Sequence, residues 1–357
     1  MVFISASTCG RFRSTTLKPD RLLALSLSEG KARFPKQNGI VHEIPSRVGI
    51  SGEWIAFSEP TERAVKLFKS GKLVLSFSSK EKENADKSKS DTKTNELMRI
   101  PGRIVMGAND DFFVENYIPP ESETKDASTK GFYKILQFDF KGKLLKNIGR
   151  KGQNELPFEN LIWFDTDKKG RLWVLYRYLD ELNLDAYDGN RLVYEIRQND
   201  CEQILFDKAQ LEALKSKNSI ARCEYIYPFY SDERVMMAGR VDKIDPDSER
   251  KTLLLNYRII KVKALGSDSS DVVFSRLSNP EDHPYLPQES DMVSLWQSLE
   301  PGKSRIARYN LAGSLKNSLF IESQGRPHEW RSIWQSLKGD VYGIRIFADR
   351  FEIHKFK

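Results

Sequence analysis

Short runs in which hydrophobic and polar residues alternate recur along most of the chain, and many are followed by a turn that contains glycine. One such unit covers 135–145 around Gly142, and another covers 182–194 around Gly189. Alternation with a period of two on both sides of a glycine turn indicates a β-hairpin, because glycine readily adopts the positive φ that such turns need. The pattern therefore predicts an antiparallel, all-β protein.

A second hairpin precedes each of these units, and its clearest copy covers 162–175 around Gly170. Two hairpins in series form a four-stranded meander, which is one blade of a β-propeller. Counting the meanders predicts these blades: 44–78, 98–149, 158–199, 220–277, 280–322 and a last blade that begins near 328. The sequence therefore predicts an all-β, six-bladed β-propeller of four-stranded antiparallel blades.

The number of blades depends most on the fifth repeat. Its first strand falls within 280–287, which contains Pro280, Pro284 and Pro287. Proline donates no hydrogen bond to a β-ladder and is poorly suited to a central strand. Rings of five or seven blades therefore stay open as alternatives to six.

The last blade contains only three strands before the sequence ends, so its fourth strand has to come from elsewhere. Residues 21–30 align with 143–152, which form the predicted outer strand of the second blade and its following glycine. We therefore predict that the N-terminal strand closes the last blade and leaves no unpaired strand at the seam. An isolated edge strand is the alternative. Closure by the N-terminal strand divides the chain into a flexible N-terminal tether, 1–20, and a β-propeller domain, 21–357.

The most specific motif lies in the second and third repeats. In chain order it reads Phe138-Asp139, Gly142-Lys143, Ile148-Gly149-Arg150-Lys151-Gly152, Phe158, Asp165 and Gly170-Arg171-Leu172-Trp173-Val174. This order resembles the consensus of an NHL repeat, closely over 133–196 and approximately elsewhere. The resemblance implies a propeller of the NHL type. It implies architecture more than activity, because propellers include hydrolases, lyases, ligand-binding proteins and scaffolds.

Two segments interrupt the repeats. Residues 79–96 are almost all charged or small and polar. They bury no apolar surface, so we predict a mobile loop. Residues 202–216 carry apolar side chains at helical spacing, with Asp207 as a candidate N-cap, and predict a helical insert outside the ring. A helix that docks a partner is the alternative.

Composition indicates a soluble globular protein, because 39% of the 357 residues are hydrophobic and 30% are charged. No stretch reaches about 18 consecutive apolar residues, so no membrane-spanning helix is predicted. The formal net charge of +7 and a pI near 9.0 favour anionic partners. Lysine and glutamate are nevertheless interspersed and no single basic stripe stands out, which disfavours nucleic acid as a partner.

The amino terminus carries a motif of another kind. A short run that passes from apolar to small residues, 2–8, precedes Cys9 and Gly10. This run resembles the end of a bacterial lipoprotein signal peptide, in which small residues precede the cysteine that receives the lipid. It departs from that pattern because it has no positively charged start and its apolar region is short. The resemblance implies lipidation of Cys9 and a lipid-anchored protein in the bacterial periplasm or at the outer surface. A cytoplasmic protein is the alternative.

The other two cysteines, Cys201 and Cys223, flank the predicted helical insert. In an oxidising compartment they can form a disulfide that fastens the insert to the propeller. Two free, partly buried thiols are the alternative, and the sequence leaves the choice open.

One arrangement of side chains suggests a metal site. His42, His283 and His328 precede or begin the first strands of the first, fifth and sixth blades, on segments that can share one face of the ring. Acidic residues lie beside them as candidate oxygen ligands: Glu43, Asp282 and Glu329. We predict no cofactor, with a divalent metal at these histidines as the alternative.

The sequence contains neither a Gly-x-Ser-x-Gly nucleophile turn nor a phosphate-binding glycine loop before a helix, which favours binding over catalysis. We therefore predict a monomeric, non-catalytic propeller that binds a protein or glycan ligand at the bacterial cell envelope. One alternative is a metal-dependent hydrolase or lyase that uses the central channel. Another is an RNA-binding NHL propeller.

Six tryptophans are expected to pack mostly between blades: Trp54, Trp163, Trp173, Trp296, Trp330 and Trp334.

Overall fold

The structure is a computed structural model, and its strands form an all-β propeller of antiparallel sheets. The residues that it describes are 13–26, 36–37, 40–41, 47–78, 98–120, 131–153, 156–206, 208–215, 219–231, 233–243, 251–263, 266–276, 282–284, 292–300, 303–310, 314–322, 330–347 and 349–357. The predicted loop 79–96 lies outside these ranges.

The first three sheets each follow the chain from the inner to the outer strand. Sheet 1 consists of Gly49–Ser51, Trp54–Glu59, Ala64–Lys69 and Lys72–Ser78. Sheet 2 consists of Ile100–Met106, Asp111–Ile118, Phe132–Asp139 and Leu144–Ile148. Sheet 3 consists of Asn160–Thr166, Leu172–Tyr178, Glu181–Asp188 and Arg191–Arg197. This is the predicted meander of two hairpins in series.

The next three sheets repeat the meander, and two of them also recruit the amino terminus. Sheet 4 consists of Ser219–Pro228, Arg234–Lys243, Lys251–Lys263 and Gly266–Arg276. Sheet 5 consists of Asp282–Pro284, Met292–Glu300, Lys303–Asn310, Leu315–Glu322 and, at its outer edge, Arg13–Thr16. Sheet 6 consists of Trp330–Gln335, Val341–Ile346, Arg350–Phe356 and, at its outer edge, Pro19–Ser26. A small separate hairpin joins Lys36–Gln37 to Ile40–Val41.

The prediction of six four-stranded blades is wrong in number, because only five of these sheets have four strands. Sheet 5 has five strands, since Arg13–Thr16 adds in parallel to its fourth strand, with Arg13 opposite Asn317. The physical reason is that an outer strand leaves a row of unpaired backbone groups, which another segment of the same chain can pair. Part of the predicted tether, 1–20, therefore lies in strands.

The N-terminal and C-terminal strands pair with each other at the edge of sheet 6. Pro19–Ser26 runs antiparallel to Arg350–Phe356, and Leu25 is opposite Phe351. Lys18 and Lys357 extend this ladder with two backbone hydrogen bonds of 2.8 and 2.9 Å. The predicted pairing of the head of the chain with its tail is therefore present.

Apolar side chains on both faces of the sheets hold neighbouring sheets together. Consecutive side chains of a strand point to opposite faces, so one strand can contact two neighbouring sheets. In sheet 1, Ala56 packs on sheet 2, whereas Phe57 packs on sheet 6, where its ring centroid lies 5.4 Å from that of Phe351. Similar clusters join sheets 2 and 3, 3 and 4, and 5 and 6. No such cluster joins sheets 4 and 5 among the side chains that the structure describes.

The predicted helical insert, 202–216, is two helices rather than one. They span Gln198–Leu205 and Lys208–Lys215, so the first begins four residues before the predicted start. The N–H of Arg197 donates to the Asp200 carboxylate at 3.2 Å and helps to start this helix. Leu205 packs into the cluster between sheets 3 and 4. None of the helices in the described ranges is long and apolar enough to cross a membrane.

Candidate functional site

One end of the propeller carries the turns that follow the inner strands, and we call it the turn face. In a four-stranded meander, the turn between the first and second strands lies at the same end as the turn between the third and fourth strands. The turns after the inner strands of sheets 1, 2, 3, 4 and 6 all line one cavity. The inner strands of these sheets therefore run in the same direction along the axis.

The cavity has a volume of about 360 Å³, which is within the range of small-molecule sites. It lies at the turn face and continues into the groove between sheets 6 and 1. Residues in or beside the turns contribute nearly half of its lining: Ser51, Gly52, Gly107, Ala108, Asp167, Lys168, Tyr230, Ser336, Leu337, Lys338 and Asp340. The repeat therefore brings equivalent positions from distant parts of the chain into one site.

Aspartates at the start of some turns accept hydrogen bonds from backbone N–H groups of the same turn. The Asp167 Oδ1 atom accepts hydrogen bonds from the N–H groups of Lys169 and Arg171 at 2.9 and 3.0 Å. Gly170 has a φ of 77°, which this turn requires and which glycine adopts without strain. Asp139 in sheet 2 accepts the same two bonds from the residues two and four positions later, at 2.9 and 2.8 Å. Of these two carboxylates, that of Asp167 lies at the rim of the cavity.

A buried ion pair closes the floor of the cavity at the propeller axis. The guanidinium of Arg47 donates to the carboxylate of Asp165, and both residues are 5% exposed. Asp165 also accepts the backbone N–H of Leu337 at 2.8 Å, and Arg47 donates to the carbonyl of Phe164 at 3.3 Å. These contacts connect sheets 1, 3 and 6, which are not all neighbours. Asp165 therefore links the sheets across the axis.

A second arginine fills the axis in the same way. Arg103, on the inner strand of sheet 2, donates its Nε–H to Glu115 at 2.9 Å. Its Nη2 group donates to the carbonyl of Leu161 in sheet 3 at 2.8 Å. Arginine suits this position because its planar guanidinium binds a carboxylate and carbonyls at once. The channel below the cavity is thus bridged by paired charges.

Tyrosine and aspartate side chains line the wall next to sheet 6. The hydroxyl of Tyr342 donates to Asp340 at 3.2 Å, and the ammonium of Lys355 binds the same carboxylate at 2.8 Å. Burial, followed by the charge of Asp340, raises the pKa of Tyr342 far above its ordinary value. Tyr342 is therefore a hydrogen-bond donor here and not a base at neutral pH.

Burial and nearby carboxylates also affect the pKa of Tyr230, which lines the cavity from the turn after the inner strand of sheet 4. Burial raises its pKa, and three carboxylates raise it further, those of Asp165, Asp167 and Asp340. Its hydroxyl is consequently protonated at neutral pH and able to donate to a ligand. Tyr230 also anchors the sheet 3 turn, since its carbonyl accepts the N–H of Lys168 at 2.9 Å.

The histidines that the sequence suggested as metal ligands are not brought together by the described part of the structure. His42 and His328 lie outside the described residues. His283 lies on the inner strand of sheet 5, opposite Trp296, and its side chain is outside the described part. Within the described residues there is no group of three or more metal-binding side chains. The metal site therefore stays a prediction.

The predictions for the cysteines fare differently: the structure shows a disulfide but does not describe Cys9. Cys9 lies outside the described residues, so its lipidation stays a prediction. Cys201 and Cys223 form a disulfide with Cα atoms 5.9 Å apart, and they are 0% and 2% exposed. The bond joins the first helix to the inner strand of sheet 4. It resolves the choice between paired and free thiols that the sequence left open.

The tryptophans pack as expected where the structure describes their side chains. Trp163, Trp173 and Trp334 are buried between sheets. Trp54 is half-buried, with its ring centroid 4.4 Å from that of Phe140. Tryptophan side chains therefore serve mainly the packing of the propeller.

Sequence reasoning missed the residues that form the cavity. Arg47, Tyr230, Asp340 and Lys338 were not singled out, and Asp165 was noted only as a position in the repeat motif. Tyr230, Lys338 and Asp340 follow inner strands, Asp165 lies near the end of one, and Arg47 precedes one. Such positions converge at one end of the axis once the repeats form a ring.

Comparisons with known proteins show similarity at the level of structure. No family model matches the chain, and no curated protein matches it. A streptogramin B lyase is 11% identical with a TM-score of 0.38, and the match covers 87% of this chain and 93% of that one. A glucose dehydrogenase is 9% identical with a TM-score of 0.42, covering 88% and 96%. The Nup133 β-propeller domain of Vanderwaltozyma polyspora is 12% identical with a TM-score of 0.39, covering 87% and 93%. The assignment of the fold itself rests on the strand order of this chain.

Proposed function

We propose that this protein is a monomeric, non-catalytic binding propeller that needs no cofactor and takes a protein or glycan ligand into the turn-face cavity. The observation that carries this proposal is the state of the carboxylates around the cavity. Asp165 is bound to Arg47, and Asp340 is bound to Lys355. Carboxylates engaged in this way fix the shape of a site and accept hydrogen bonds from a ligand.

The proposal includes a complete ring of NHL type, in which sheets 4 and 5 pack as the other neighbours do. Support comes from sheet 5, whose first four strands follow one another in the same antiparallel order as those of sheets 1 to 4. Further support comes from the contact of sheet 6 with sheet 1, which brings the first and last repeats together. A closed ring keeps the edges of its blades short and holds the cavity wall rigid.

We further propose that the protein resides at the bacterial cell envelope. The buried disulfide supports this location, because structural disulfides persist in oxidising compartments such as the periplasm and are rare in the cytosol. Lipidation of Cys9 would attach the propeller to a membrane without crossing it.

Ligand binding at the cavity is testable with a variant that fills it. Ala108 is exposed and lines the cavity, so Ala108→Trp places a large side chain in the opening. We expect wild-type protein to bind a member of a soluble glycan and peptide array, and the Ala108→Trp variant to bind it at least about tenfold more weakly. Leu179→Trp is the control, because Leu179 is 70% exposed at the other end of the propeller. Equal binding by the Ala108→Trp variant, or metal-dependent turnover of the bound molecule, would overturn the proposal.

Membrane attachment has its own test. In cell fractionation we expect wild-type protein in the membrane fraction and Cys9→Ala protein in the soluble fraction, because the variant lacks the atom that receives the lipid. Incorporation of a labelled fatty acid into the wild type alone is the accompanying measurement. Membrane association that survives the substitution would refute lipidation at Cys9.

A further inference from the structure

We infer that the ligand of the turn-face cavity is an acidic glycan, a sugar chain that carries carboxylate or phosphate groups. This inference rests on the proposed function and specifies its ligand. It assigns the sugar hydroxyls to the polar wall of the cavity and the anionic substituent to Lys168 and Lys338 at the opening.

The opening of the cavity carries positive charge that the protein does not neutralise. Lys168 and Lys338 are exposed, and they extend from the turns of sheets 3 and 6 on two sides of the opening. Neither ammonium forms an ion pair within the residues that the structure describes. Lys355 differs, because Asp340 already binds it at 2.8 Å. An anionic group at the opening would therefore meet two available cations.

The wall of the cavity offers hydrogen bonds of the kind that sugar hydroxyls make. The Ser336 Oγ atom is buried and has no hydrogen-bond partner among the described residues. The Asp340 side chain is 27% exposed and can accept further bonds, and the Tyr230 hydroxyl can donate. A buried hydroxyl without a partner costs free energy, which a bound polar ligand would recover.

Charge is distributed unevenly between the two ends of the propeller. Exposed turn-face residues include many lysines: Lys72, Lys141, Lys143, Lys168, Lys169 and Lys338. The described turns at the other end, between second and third strands, carry charges of both signs: Glu62, Asp180, Glu181 and Asp349 beside Arg63, Lys303 and Arg350. Such an arrangement attracts a polyanion more strongly to the turn face than to the opposite face. An acidic polysaccharide would thus be guided to the cavity.

The site is better suited to an acidic glycan than to RNA. Single-stranded nucleic acid binds through exposed aromatic faces on which bases stack. Trp334 and Tyr342 are only 7% and 5% exposed, which leaves the half-buried ring of Tyr230 as the single partly exposed aromatic among the described lining residues and offers no platform for successive bases. The disulfide between Cys201 and Cys223 also points to an oxidising compartment, where glycans are abundant.

The test compares four soluble probes by isothermal titration calorimetry: a galacturonic acid oligomer, the neutral galactose oligomer of equal length, a sugar phosphate and single-stranded oligouridylate. We expect the galacturonate or the sugar phosphate to bind at least about tenfold more tightly than the neutral oligomer, and the better of the two identifies the anionic group. Binding should weaken as salt rises from about 0.05 to about 0.3 M, because the attraction is electrostatic.

Two matched variants locate the interaction. Lys168→Glu/Lys338→Glu should lower the affinity for the acidic probe at least about tenfold and lower that for the neutral oligomer by a smaller factor. Lys303→Glu, at the opposite end of sheet 5, is the single-charge control and should bind as wild type does. Neutral and acidic oligomers that bind equally, and are both blocked by Ala108→Trp, would overturn the inference while the proposed function stands. Acidic binding that Ala108→Trp leaves intact would contradict both, and tighter binding of oligouridylate would favour RNA instead.

Discussion

Replacing Asp165 by alanine is expected to lower the free energy of unfolding by about 3–5 kcal/mol, which is the cost of leaving a buried charge without its partner. The guanidinium of Arg47, which is 5% exposed, would keep the carbonyl of Phe164 as its one hydrogen-bond acceptor among the described residues. The backbone N–H of Leu337 would lose its acceptor as well. Chemical denaturation, followed by circular dichroism or tryptophan fluorescence, measures this loss.

Two further variants distinguish the effect of an unpaired buried charge from a general loss of packing. Asp188→Ala removes a carboxylate whose pair with Arg191 is mostly exposed, with side-chain exposures of 64% and 76%. It should change the free energy of unfolding by less than about 1 kcal/mol. Arg47→Met combined with Asp165→Ala should recover part of the loss, because the buried charge itself is gone. A single Asp165→Ala variant as stable as Asp188→Ala would show that the axial ion pair does not hold the sheets together.

Removing the disulfide is expected to cost about 3 kcal/mol, because the bond closes a loop of 22 residues and limits the unfolded chain. The Cys201→Ala/Cys223→Ala variant should therefore unfold at lower denaturant concentration than wild type. The loss of stability should be greatest where sheets 3 and 4 pack together, because both cysteines are buried there with Leu205 and Ile226.

The reductant dithiothreitol provides the control for this prediction. It should destabilise wild-type protein to the level of the double variant and leave the variant itself unchanged. Wild-type protein from an oxidising compartment should also contain only one free thiol, that of Cys9, unless a lipid occupies it. If reduction leaves the unfolding curve of the wild type unmoved, the two thiols are not bonded in the folded protein.

The hairpins were predictable because their signals are local. The alternation of side chains along a strand and the positive φ of Gly170 depend on a few neighbouring residues. The prolines at the start of sheet 5 disfavoured a strand in this segment. Asp282–Pro284 does form one, and it has only three residues in its ladder. Pairing of Pro19–Ser26 with the last strand was also predictable, because its pattern matches the outer strand of another repeat.

The fifth strand of sheet 5 was not predictable in the same way. Arg13–Thr16 has little alternation of its own, and it adopts a strand because the edge of Leu315–Glu322 is available for pairing. The helical insert was recognised from its apolar spacing, but its division into two helices was not. Such features depend on what lies next to a segment in space.

The repeating hairpins, the all-β propeller and the pairing of the N-terminal and C-terminal strands could be predicted, since each follows from patterns repeated within short stretches of sequence. The cavity and its floor could not be predicted in this way, because they depend on contacts between distant segments. Asp165 lies 118 residues from Arg47 and 172 from Leu337, and only the arrangement of the sheets around an axis brings them into contact. Hydrogen bonds across the axis leave no periodic pattern in the sequence, because each partner is a single residue in or beside a different inner strand.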